Sequence, residues 1–100
     1  MTHVLKPNFP QALRYARRAR GKSQEALDAG SGRTYVSALE RGIKQPTIGK
    51  IAELASALDI HPLTLMTLSY LKKSTVLEVQ RLLHRVSDEV AGLAGGSSAD

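Results

Sequence analysis

Apolar and polar residues alternate along this chain with helical rather than strand periodicity. Phe9, Leu13 and Ala16 share one side of a first segment, about Pro10 to Arg20, whose other positions are crowded by Arg14, Arg17, Arg18 and Arg20. Gly21 ends that segment. Ser23 is suited to cap a second, short helix with Ala26, Leu27 and Ala29 on its apolar side, and Gly30-Ser31-Gly32 breaks it. A third helix is predicted from about Arg33 to Arg41, with Val36 and Leu39 three apart on one side and Gly42 closing it. Ile43–Pro46 reads as a loop. Thr47 then caps a fourth helix reaching about Leu58, in which Ile48, Ile51, Ala52, Leu54, Ala55 and Leu58 form a wide apolar stripe.

Asp59-Ile60-His61-Pro62 is the next break, with Pro62 placed to start a fifth helix that carries Leu63, Leu65, Met66, Leu68 and Leu71. That is more apolar surface than a short surface helix needs, so part of it is expected to face a partner. Lys72-Lys73-Ser74 marks a boundary. Thr75 and Glu78 then match a capping box. Beyond them Val76, Val79, Leu83, Val86, Val90 and Leu93 recur at alternating three- and four-residue steps, an a/d seam with Leu77 and Leu82 widening it. This helix, residues 74–93, reads as a dimerisation element, with Val76, Val79, Leu83, Val86 and Val90 at the contact. The competing reading is packing back onto the fourth and fifth helices. Residues 1–8 read as a flexible arm, because Pro7 and Pro10 prevent an earlier helix start. Residues 94–100 read as a disordered tail.

Composition narrows the picture. Apolar residues make up 42% of the 100, but aromatics only 4%, so the core is built from Leu, Ile, Val and Ala, which favours helices. The absence of cysteine excludes disulfides and thiolate chemistry. No run approaches the ~18 apolar residues of a membrane span, and no signal peptide is expected, since the first residues lack a basic segment followed by an apolar core. The expected setting is cytoplasmic, with the nucleoid as the site of action. His3, His61 and His84 are scattered, and no nucleophile has an evident base, so neither a metal site nor a catalytic residue is assigned, no cofactor is expected, and the chain is read as a non-enzyme.

The net charge of +5 is unevenly spread. Residues 1–46 hold nine Lys/Arg against three Asp/Glu, whereas residues 47–100 hold five against six. Positive charge therefore gathers on the part of the chain that holds the first three helices, as an acidic polymer partner would require.

The stretch Ser23-Gln24-Glu25, Leu27, Arg33-Thr34-Tyr35-Val36-Ser37 and Leu39-Glu40-Arg41-Gly42, with Pro46-Thr47 and Ala52–Leu58 downstream, resembles the Cro/CI-like (XRE-type) helix-turn-helix family. The likeness runs from about Phe9 to Met66. Its connection between Leu27 and Tyr35 is shorter than the usual pattern, and Asp28 stands where a small alanine is common. The resemblance implies an all-α chain: a compact five-helix Cro/CI-like domain over residues 9–71, plus one C-terminal amphipathic helix. It implies that Gln24 meets a phosphate or an adjacent base and that Arg17 pairs with Glu40. Arg33, Thr34 and Ser37 have the donors and methyl groups to read base edges. Tyr35 either donates to a phosphate or packs on the first helix. Lys22, Arg41 and Lys44 are expected on phosphates.

The function expected is a regulator of transcription that binds double-stranded DNA without a membrane, most simply as a repressor on a palindromic operator and as a homodimer. One alternative keeps DNA binding and adds a protein partner, a toxin or co-regulator, as in an antitoxin that autoregulates its operon. Another is a helical protein-interaction module without DNA binding.

Overall fold

Short helices need their ends satisfied locally, because four N–H and four C=O groups at each terminus lack intrahelical partners. In the computed structural model, which describes residues 6–28 and 35–96, side chains and tight turns supply those partners. The order is α1 (Phe9–Ala19), α2 (Gln24–Leu27), α3 (Tyr35–Glu40), α4 (Ile48–Ala57), α5 (Pro62–Tyr70) and α6 (Val76–Gly96). No strand occurs among the described residues. Nor is any helix among them long and apolar enough to cross a membrane.

The caps follow the sequence closely. Asn8 accepts from the Gln11 N–H at 3.2 Å, Ser23 from Ala26 at 3.0 Å, Thr47 from Lys50 at 3.1 Å and Thr75 from Glu78 at 3.2 Å. Asn8 is thus part of the folded domain and not of a loose arm, and its own N–H donates to the Ser69 carbonyl at 2.6 Å. Met1–Leu5 lie outside the described residues.

Three helices end in the same way. After α1, Lys22 N–H returns to Arg17 C=O and Gly21 N–H to Arg18 C=O, both at 3.0 Å. After α3, Ile43 returns to Ala38 at 2.9 Å and Gly42 to Leu39 at 3.1 Å. After α4, Ile60 returns to Ala55 and Asp59 to Ser56, both at 3.0 Å. This paired pattern is the Schellman motif, whose pivot takes left-handed backbone. Gly21 (φ 67°) and Gly42 (φ 74°) provide it without steric penalty. Asp59 does so at φ 59°, where a short polar side chain is tolerated.

The core of the first unit gathers Leu13, Ala16, Leu27, Val36, Leu39, Ile51, Leu54, Ala55, Leu58 and Leu65. Phe9, Tyr35, Ile60, Met66 and Leu68 pack at its margin. Several expectations need correction. Ala26 is exposed, because α2 is a single turn and buries only Leu27. Ala29 to Thr34 lie outside the described residues. Ile48 is 81% exposed and Ala52 is exposed, so the buried face of α4 is the narrower set Ile51, Leu54, Ala55 and Leu58. Ile48 occupies the opening turn, beyond the core's edge, and Ala52 lies about 100° around the helix from Ile51. In α5 the exposed leucine is Leu63, Leu65 is fully buried, and Leu71 falls past the helix end.

Two units are distinguished, residues 1–70 and 71–100, with the break one residue before the expected 9–71 boundary. The second unit contains α6, which continues to Gly96, three residues beyond the expected Leu93 and into the stretch expected to be a tail. An ion pair joins Arg85 to Glu89 at 3.1 Å along its polar side, and His84 Nε2 lies 3.3 Å from Asp88 Oδ2.

The α5 assignment is testable because its apolar residues show no single periodic face. Leu65→Ala is expected to lower the unfolding free energy by about 2–5 kcal/mol through a cavity. Leu63→Ala should change it by less than about 0.5 kcal/mol. Urea unfolding of the two variants measures the difference directly.

Candidate nucleic-acid interface

The basic segment and the short third helix meet at one buried carboxylate. Glu40, the last residue of α3, is 3% exposed, and Arg17 of α1 is 9% exposed. Arg17 Nε donates to Glu40 Oε2 at 2.6 Å and its Nη2 to Oε1 at 2.9 Å, a bidentate pair. The third arm of the guanidinium, Nη1, donates to the Lys22 carbonyl at 2.9 Å and so holds the turn that leads into α2. Gln24, the first residue of α2, donates its amide to Glu40 Oε1 at 2.9 Å. Arg14 adds a bond from Nη2 to the Glu40 carbonyl at 3.1 Å, and its Nε lies 3.6 Å from Oε1.

Three helices thus converge on one side chain. Burial by itself pushes the Glu40 carboxyl upward. Hydrogen bonds from Arg17 and Gln24, with the charges of Arg17 and Arg14, outweigh that and hold it below its ordinary value. The hydrogen bond to Glu40 raises Arg17 in turn.

With Val36, Ala38, Leu39 and Glu40 turned inward, α3 leaves Tyr35 and Ser37 half-buried, and Arg41 follows exposed. Lys22 and Lys44 are also exposed. Tyr35 stands at the start of α3 with two ammonium groups over its ring, Lys50 Nζ at 5.1 Å and Lys44 Nζ at 5.8 Å from the centroid. The ring sits at the core margin, and the lysines make its surroundings cationic. Lys50 also meets Glu53 at 2.9 Å, which holds it above its ordinary value.

The structure therefore brings Tyr35 and Lys44 together and joins Gln24, Arg17 and Glu40. Arg33 and Thr34 lie outside the described residues. On α6, Val76, Leu83, Val86 and Val90 are exposed and Val79 is half-buried. Among the described residues no group of acidic, histidine or cysteine side chains could hold a metal.

Three residues escaped the sequence reading. Arg14 supports Glu40 from one turn before Arg17. Lys50 joins the Tyr35 cluster from the first turn of α4. A signal for it was available: a lysine in a first turn opposes the positive end of the helix dipole, a placement that makes sense beside an anion. Asp28, noted only as a departure from a pattern, is 6% exposed and accepts from the Val36 N–H at 2.8 Å.

Residues 13–65 match the family model described as helix-turn-helix. The chain is 44% identical over 55 residues to the uncharacterized HTH-type transcriptional regulator y4dL of Sinorhizobium fredii. That match covers 53% of this chain and 28% of y4dL, so most of y4dL lies outside it. A second regulator of that organism, y4dJ, with the same description, is 43% identical over 53 residues, or 51% of this chain and 69% of y4dJ. No solved structure gives a significant match.

The carboxylate network predicts an acid limit. A carboxyl held low in the folded state contributes stability that is present above its unfolded value and is lost as pH falls through the folded one. Denaturant midpoints should be flat near neutrality and fall below about pH 4.5, the unfolded value for Glu40. Glu40→Gln should remove about 3–5 kcal/mol at pH 7, because Arg17 is left buried without its counter-charge. The same variant should flatten the acid limb.

Proposed function

The chain belongs to the helix-turn-helix family, and on that premise we propose that it is a transcriptional regulator that binds a two-fold symmetric DNA operator as a homodimer and represses from it. The observation that carries the reading is α3. It buries Val36 and Leu39, is fixed by Glu40, and leaves Ser37 half-buried, with Tyr35 at the core margin and Arg41 exposed just after the helix, amid a positively charged segment. A helix so held can enter a major groove.

In this reading Arg33, Thr34 and Ser37 read base edges. Arg33 suits the O6 and N7 of guanine. Lys22, Arg41, Lys44 and Lys50, with the Tyr35 hydroxyl, meet phosphates and give salt-sensitive affinity. Gln24, already anchored to Glu40 through one amide N–H, has its second N–H for a phosphate next to α2 and its carbonyl oxygen for a donor on an adjacent base.

The dimer is assigned to α6. Its seam positions Val76, Leu83, Val86, Val90 and Leu93 are 44–80% exposed, more apolar surface than a solvated helix retains. The positions flanking the seam are mostly uncharged (Thr75, Gln80, Leu82, Ser87 and Ala94), so two copies approach without like-charge repulsion. A two-fold symmetric operator requires two recognition helices about one DNA turn apart, ~34 Å.

Selection of duplexes from a random pool tests the function. Enrichment of a motif with two related half-sites is expected, and an unenriched pool would refute sequence-specific reading. Arg33→Ala should weaken binding to the selected duplex by about 1–3 kcal/mol and leave a scrambled duplex unaffected. Lys50→Gln should weaken both and reduce the salt slope by about 1. Val86→Asp should convert the dimer to a monomer in sedimentation, because a charge at the seam has no partner there.

A further inference from the structure

Fixing the direction of a helix requires two anchor points, and six-residue α3 spans only about 9 Å. One anchor is Glu40 at its C-terminal end. The other is on the first turn. Val36, the second residue of α3, donates its N–H to Asp28 Oδ1 at 2.8 Å, a buried bond across eight positions in sequence. Asp28 also closes α2, for its own N–H donates to the Gln24 carbonyl at 2.9 Å. One residue therefore ends the first helix of the motif with its backbone and begins the second with its side chain. A carboxylate at a helix N-terminus is favourable both as an acceptor and through the dipole.

Asp28 is a poor choice if stability alone matters. It is 6% exposed, and its Oδ2 is buried with no hydrogen-bond partner among the described residues. A half-satisfied buried carboxylate opposes folding. What it supplies is direction, because a hydrogen bond fixes an angle that apolar contact leaves free. We propose that Asp28 is the positioning residue of the DNA-reading helix: its bond to Val36 sets, with the Glu40 anchor, the pose in which α3 meets the groove. This rests on the DNA-reading function proposed above. It predicts that discrimination between DNA sequences depends on Asp28 more than folding does.

The test compares the full chain with Asp28→Ala and with Asp28→Asn, which keeps the acceptor oxygen. Three readouts are needed: melting by circular dichroism, Val36 amide exchange by NMR, and affinity for the selected and scrambled duplexes at one salt concentration. The alanine variant should melt cooperatively and exchange its Val36 amide faster. Its affinity for the selected duplex should fall at least about tenfold, comparable to losing one base contact, and for the scrambled duplex less than about twofold. The asparagine variant should restore Val36 protection and most of the preference. Wild-type preference in the alanine variant, equal losses on both duplexes, or an asparagine variant as poor as alanine would overturn the proposal. Should the alanine variant not fold, the asparagine variant decides: preference retained supports the role, and preference lost at a native melting temperature refutes it. A wild-type chain with no sequence preference would sink the DNA-reading function instead, and Val36 exchange would still report whether Asp28 caps α3.

Discussion

A buried carboxylate gripped by a guanidinium is the constraint on which the first unit depends. Removing two charges from water is expensive, and the mutual attraction of Arg17 and Glu40 offsets it only because nearly every polar atom involved has a partner. The arrangement contributes geometry. Apolar contacts among Leu13, Val36 and Leu39 bring α1 and α3 together but tolerate sliding and rotation. Two parallel hydrogen bonds between planar groups do not. Through Gln24 and the Lys22 carbonyl the same pair fixes the approach to α2, so the relative placement of three helices is set at one point.

That matters because the helices are too short to persist alone. Helix formation has a costly nucleus, and a four-residue α2 or six-residue α3 has no independent stability in water. Each is held by an end device and by burial. Ser23, Asn8 and Thr47 open helices, and Gly21, Gly42 and Asp59 close them. Sharp, defined ends leave the polar positions of α3 available on one side and keep its apolar positions on the other. The exposed basic residues Lys22, Arg41 and Lys44 are then carried on backbone that the closing turns hold in place.

The second unit follows different physics. At 21 residues, α6 is long enough for regular helical pairs along its polar side, and its apolar seam is exposed in the isolated chain. A surface of that kind is stabilised by association more than by its own propensity. Under the proposed dimer, such a division would let DNA contact and self-association be varied separately.

Much of this was legible in the residues. The six-helix order, the caps at Ser23, Thr47 and Thr75, the closing roles of Gly21 and Gly42, and the inward faces of Leu13, Val36, Leu39 and Leu54 follow from spacing and turn chemistry, which act over a few neighbouring positions. The pairing of Arg17 with Glu40 came from family resemblance and not from spacing, since 23 positions separate them. Only tertiary structure decided which apolar residues stay in water. Ile48 fits the α4 stripe as well as Ile51 does, and nothing in the α5 pattern separates Leu63 from Leu65, but the core ends before it reaches Ile48 and Leu63. Likewise the bond from Val36 to Asp28 and the lysines over Tyr35 join groups whose proximity exists only once the chain has turned back on itself. Local patterning determines which segments become helices and which side each can bury; the meeting of side chains from different helices is fixed by packing, and no periodicity along the chain encodes it.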